Sequence, residues 1–281
     1  PFFARLGAML QSAGCSVLRV GFNAGDSAFW RDRSSYHAYQ GPQADWPAHL
    51  EGLLEKHAIS DLVLYGDTRP IHAAAVKAAR ARGIRVHVFE EGYLRPYWVT
   101  YEREGSNGNS RLMGTSVTDM AAALARCDME APLPPSHWGD TRQHVFYGAL
   151  YHGFVMFLNQ RYRQFRPHRA LPVTREFQLY LRRLMLMPFQ ALERRLATRR
   201  IRDGGFPYHL ALLQLEHDSA FQAHSPFATT ADFLEKVFEG FAEGAPRHHH
   251  LVIKAHPLED GRAPIRRSIR QLAKRHGICE R

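Results

Sequence analysis

The chain has 281 residues, enough for two modest α/β domains or one large one. An apolar share of 45% is that of a globular protein, and no apolar run approaches the roughly 20 residues of a membrane-spanning helix, so no segment is expected to cross a bilayer. Three scattered cysteines, Cys15, Cys127 and Cys279, argue against a disulfide framework or a zinc site and fit a reducing compartment, while a formal charge of +10 asks for an anionic partner: a nucleotide, a nucleic acid or a lipid headgroup.

The opening PFFARLGAML has neither an initiator Met nor the layout of a secretory leader, and it reads as the interior of a longer protein. Phe3, Leu6 and Leu10 stand at helical spacing; Gly14 then precedes SVLRVGFN, an alternating run suited to a strand. A second helix carries Trp46, Leu50, Leu53, Leu54 and His57 and leads into DLVLYGD, a buried-type strand ending at Gly66 and Asp67. Pro70 opens an alanine-rich helix closed by Gly83, and the strand RVHVFEEG follows. This alternation predicts right-handed βαβ units and a mostly parallel sheet, which binds ligands beyond the carboxyl ends of its strands. Asp67 and the Glu90, Glu91, Gly92 trio are therefore expected in one crevice.

From about 136 to 205 the alternation stops. Arginines from Arg161 to Arg202 outnumber acids such as Glu176 and Glu193, with Phe, Tyr, Leu and Met between them. This predicts a basic, amphipathic, helical insert, either lying on an anionic membrane surface or a solvated helix whose arginine stems cover apolar surface. The rhythm resumes with LALLQ at 210–214, a helix from Ala231 to about Glu243 opened by a Thr229/Asp232 capping box, the strand LVIKA at 251–255, and a helix from Pro264 to His276. The expected organisation is an N-terminal Rossmann-like domain over 1–135 lacking its opening strand, the insert over 136–205, and a C-terminal Rossmann-like domain over 206–281 lacking its last units, so that the fold is cut at both ends.

Three places offer chemistry. Glu90 and Glu91 end a strand at a glycine turn, where mutual repulsion and partial desolvation suit one of them to proton transfer; the plainer reading is a turn cap or a pair with Arg95. Lys254 and His256, held by Pro257, present a cation and an imidazole at a strand's carboxyl edge, where a phosphate would lie, or else a surface turn. Asp218, in LQLEHDS, is a possible nucleophile or a helix cap. His248, His249 and His250 read as a solvated loop, since neighbouring strand residues point to opposite faces and rarely converge on one ion.

Glu-Glu-Gly after a strand in the first domain and His-Pro after a strand in the second resemble the paired motifs of bacterial CMP-sugar transferases, the sialyltransferases and polysialyltransferases among them. The segments PFFARLGAML, VGFNAGD, LYGDTRPIH, FEEGYLRPYWVTYEREGSNGNS, LLQLEHDSAFQAHSPF and LVIKAHPLEDG, in order over nearly the whole chain, are similar to the capsule polysaccharide synthesis and export family of the KpsS and LipB type. The resemblance implies a GT-B-like α/β fold and a retaining β-Kdo transferase that takes Kdo from CMP-Kdo to a lysophosphatidylglycerol or glycolipid anchor. It implies Glu91 or Glu90 as acid/base, Asp218 as nucleophile, His256, Pro257, Lys254 and Gln214 on the donor, and Arg95, Asn107 and Ser110 on the acceptor side. It further implies no metal or other cofactor, a cytoplasmic location peripheral to the inner membrane, and other capsule synthesis and export proteins as partners. A non-catalytic export adaptor and a CMP-sialic acid transferase are the alternatives. Nucleic-acid binding ranks low, because the aromatics fall on core-like positions and no reader motif is present.

Overall fold

The computed structural model describes residues 2–92, 98–127, 141–164, 171, 173–257, 259 and 261–281. The chain is mixed α/β and forms two compact units, Pro1–His168 and Arg169–Arg281.

In the first unit α1 (Phe2–Ser12) is followed by Gly14 at φ +85°, a left-handed turn suited to glycine, and the chain enters β1 (Arg19–Gly21). Asn23 caps the short α2 (Ala24–Ala28), its side chain accepting the Asp26 N–H at 2.9 Å. β2 (Tyr36–Ala38) lies parallel to β1. Next, α3 (Trp46–Lys56) leads into β3 (Asp61–Tyr65), and α4 (Pro70–Ala81) into β4 (Arg85–Glu91), parallel to β3 with Leu64 opposite Val88. Apolar positions four apart on α3, Trp46, Leu50 and Leu54, close with Ala75, Val76 and Ala79 of α4 over Leu64, Val86 and Val88. Val86 and Val88 are fully buried, each stabilising the unit by about 1.5–3 kcal/mol.

The predicted parallel sheet gains an antiparallel edge. β5 (Val99–Arg103) folds back on β4, giving the order β3, β4, β5. Its residues alternate between exposed and half-buried, a signal too weak to mark a strand by periodicity.

The described part of the stretch 136–205 is mostly helical and is divided between the units. After α5 (Val117–Ala125), α6 (Thr141–Phe157) packs on α2: the Tyr151 hydroxyl donates to Asp26 at 3.2 Å and accepts from Asn23 Nδ2 at 2.8 Å, and its ring occupies space that a Cβ on Gly25 would need. α7 (Val173–Asp203) belongs to the second unit. There follow β6 (Tyr208–Leu212), α8 (Ser219–His224), α9 (Thr230–Gly244), β7 (His250–Lys254) and α10 (Ile265–Arg275). β6 and β7 are parallel, and the Thr229/Asp232 capping box forms as the sequence predicts. Leu213, Leu234, Phe238, Phe241, Ile265, Leu272 and Ile278 make this unit's core.

Candidate functional site

The carboxyl edge of β3 and β4 is organised around Gly66 and Asp67. Gly66 (φ +69°) extends the ladder by one bond, donating its N–H to the Phe89 carbonyl at 2.9 Å, and its own carbonyl accepts from His72 Nδ1 at 2.9 Å. The chain then turns inward, leaving Asp67 only 5% exposed. A buried carboxylate requires donors, and three converge on it: the Ser106 N–H at 3.1 Å, the Ser106 hydroxyl at 3.4 Å and Asn109 Nδ2 at 3.0 Å. Asp67 thus pins the loop after β5 against the turn after β3. Within that loop Gly105 sits where a Cβ would lie 2.4 Å from the Asn109 carbonyl, Asn107 is left-handed at φ +53°, and the Ser110 hydroxyl donates to Glu102.

Glu90 and Glu91 end β4 on opposite faces. Two-residue alternation puts Glu90 on the side of Val86 and Val88, half-buried beside Gly66, where a Cβ on that glycine would stand 2.8 Å from Glu90 Oε1. Glu91 shares the face of Phe89, whose ring meets Phe2, Phe3 and Tyr101, and it is exposed. Their β5 partners are Thr100 and Val99. Gly92 closes the strand by donating its N–H to the Trp98 carbonyl at 3.1 Å; a Cβ there would stand 2.3 Å from that oxygen, so no larger residue fits. Arg95 lies outside the described residues. The structure therefore brings Glu90 to the Asp67 turn, together with Ser106 and Asn109, which motif reading does not single out. Their only signal is the short polar run SNGNS, with the composition of a turn.

In the second unit the same edge lies beyond β6 and β7. Leu213 donates its N–H to the Lys254 carbonyl at 2.9 Å, so the segments starting at Gln214 and at Ala255 leave the sheet side by side. Lys254, Gln214 and Asp218 are exposed and His256 is half-buried. The His256 carbonyl accepts the Glu259 N–H at 3.0 Å, forming the turn, and the Pro257 carbonyl accepts from Arg183 of α7 at 2.9 Å. Asp218 caps α8, one carboxylate oxygen accepting the Ala220 N–H at 2.9 Å. Glu216 accepts the Thr230 N–H at 2.8 Å, placing its charge at the N-terminus of α9, where the helix dipole favours it. Of the three histidines before β7, His249 meets His209 across 2.9 Å and His250 begins the strand. Desolvation, then the neighbouring His248 and His209, hold the His249 pKa below the usual histidine value.

Each unit thus contains parallel α/β strand pairs, joined in the first unit by antiparallel β5, with polar and charged groups gathered beyond the carboxyl ends of β3 and β4 and of β6 and β7, where such strands take ligands. The chain belongs to the capsule polysaccharide biosynthesis protein family, which matches residues 60–281. Over its full length it is 30% identical to the capsule polysaccharide export protein KpsS of Escherichia coli, covering 71% of that protein. Over 98% of its length it is 30% identical to the capsule polysaccharide modification protein LipB of Neisseria meningitidis serogroup B, of which it covers 66%. No solved structure matches it.

Proposed function

We propose that this protein is a retaining glycosyltransferase of capsule synthesis, moving Kdo from CMP-Kdo to a lysophosphatidylglycerol or related glycolipid anchor, with a GT-B-like pair of Rossmann-like domains. The observation that carries the reading is the Glu90–Glu91 pair at the carboxyl end of a parallel strand, with Glu90 beside the Gly66–Asp67 turn, in a chain of this family. Retention requires two displacements. In the first, an Asp218 carboxylate oxygen attacks the anomeric carbon and CMP leaves with the bonding pair, its phosphate met by Lys254 and His256 with Gln214 and Pro257 alongside. In the second, Glu91 or Glu90 takes the proton of the acceptor hydroxyl, whose oxygen displaces Asp218. Arg95, Asn107 and Ser110 serve the acceptor. No metal or other cofactor takes part. The enzyme works at the cytoplasmic face of the inner membrane, beside other capsule proteins and without nucleic acid.

The test is CMP release from CMP-Kdo by the full-length protein with lysophosphatidylglycerol, comparing wild type with Glu90→Gln, Glu91→Gln and His256→Ala. Acceptor-dependent release that collapses in His256→Ala and in one glutamate variant supports the reading and assigns the acid/base. The word export in the name of the Escherichia coli relative favours a second reading, a non-catalytic adaptor. That reading stands if folded, acceptor-binding protein releases no CMP. Preference for CMP-sialic acid in a parallel assay would overturn the choice of donor.

A further inference from the structure

Among the described residues, the helix α7 meets its own unit through two polar contacts, and one of its leucines is buried. Leu179 is buried, Arg183 donates to the Pro257 carbonyl at 2.9 Å, and Glu193 pairs with Arg266 of α10 at 2.5 Å. At about 100° per residue these three positions fall within about 80° of one another, with Pro188 inside the helix between Arg183 and Glu193. The far side is where a surface helix is ordinarily polar. Here it carries Phe177, Leu181, Leu184, Leu192 and Leu196, each between 43% and 60% exposed. This stripe runs about 29 Å along the helix. Arg195 and Arg199 fall on the same outward face near its end, with Arg182 and Arg200 at its flank. Over Val173–Asp203 eight arginines stand against three acids. Among the described residues no helix is long and apolar enough to cross a membrane, so this stripe can lie on a bilayer but not span one.

We infer that α7 is the element by which this protein lies on an anionic lipid surface, its outward stripe entering the acyl boundary and its arginines reaching the headgroup phosphates. A dry protein contact over the same face would also bury Arg195 and Arg199; Arg199 has Asp203 at 3.2 Å, so the cost falls chiefly on Arg195 unless it finds an acid. At a lipid interface long arginine stems keep their charge at phosphate level while the leucines sink, so both residue types are satisfied together. The inference rests on the proposed function only for the lipid nature of the acceptor.

The experiment is co-sedimentation of the full-length protein with vesicles of phosphatidylcholine alone, or of phosphatidylcholine with one third phosphatidylglycerol. Wild type is expected to bind only the second. The double variants Leu181→Asp with Leu192→Asp, and Arg195→Glu with Arg199→Glu, are each expected to lower binding by about tenfold or more. Their thermal melts should match wild type, because all four side chains are exposed. No binding by wild type, equal binding to both vesicles, or unchanged binding in either variant overturns the inference. CMP release with acceptor in detergent micelles separates the two readings. Loss of vesicle binding with release intact supports both. Vesicle binding that depends on α7, in a protein that releases no CMP, leaves this inference standing and removes the transferase.

Discussion

Replacing Asp67 with alanine removes the acceptor for three donors at once. Ser106 is fully buried, so its N–H would be left without water or partner, at about 1–3 kcal/mol. The Asn109 bond at 3.0 Å is to a charged acceptor and contributes about 1.5–3 kcal/mol, while the 3.4 Å hydroxyl contact adds little. Part of this is offset because Asp67 no longer has to be desolvated, which leaves an expected loss of about 3 kcal/mol. Asp67→Asn keeps the shape and one acceptor oxygen and should lose roughly half as much. Every tryptophan of the sequence precedes residue 169, and the described ones, Trp30, Trp46 and Trp98, lie in the first unit, so urea unfolding followed by tryptophan fluorescence reports on that unit. With a slope of about 2 kcal/mol per molar urea, the alanine variant should shift the midpoint by about 1.5 M. A shift under about 0.3 M would show that Asp67 does not hold the loop after β5, and the account of this edge would fail.

Asp218→Asn keeps an oxygen for the Ala220 N–H, so it should melt like wild type yet lose CMP release, whereas Asp218→Ala should lose both release and about 1 kcal/mol; full activity in the asparagine variant would leave Asp218 as a cap alone. Gly66→Ala places a side chain at φ +69° and against Glu90, with an expected cost of about 1–2 kcal/mol and a fall in CMP release if Glu90 is the acid/base; an unchanged melting temperature would contradict the geometry. His37 lies 2.8 Å from His49, and burial first, then His49, His57 and Lys56, lower its pKa. The unfolded chain therefore binds more protons here below about pH 6.5, so stability is present above that value and declines as pH falls through the window. Calorimetry between about pH 7 and 5.5 should show the first unit melting lower at the acid end, and less steeply in His37→Gln. A melting temperature independent of pH would count against the pair.

The sequence by itself determined the elements whose signals are local. Apolar spacing marked α3, α4 and α9 and the strands β3, β4, β6 and β7, Gly14 and Gly83 stood where left-handed turns were needed, and Thr229 with Asp232 announced its own cap. Periodicity records which side of a segment is dry, but not what covers it. β4 is covered on both faces, by α4 on one and by Phe2, Phe3 and Tyr101 on the other, so valines alternating with His87 and Phe89 could not say which glutamate meets the Asp67 turn. Only the tertiary structure decided it. The same holds for the bonds from Ser106 and Asn109 to Asp67, made across 39 and 42 residues, and for β5, whose pairing with β4 rests on backbone hydrogen bonds instead of a hydrophobic pattern. The arginine-rich stretch announced its charge in its composition. That Leu181, Leu184, Leu192 and Leu196 face outward follows from where Leu179, Arg183 and Glu193 lie, because a helix presents to solvent whatever its anchoring side leaves over.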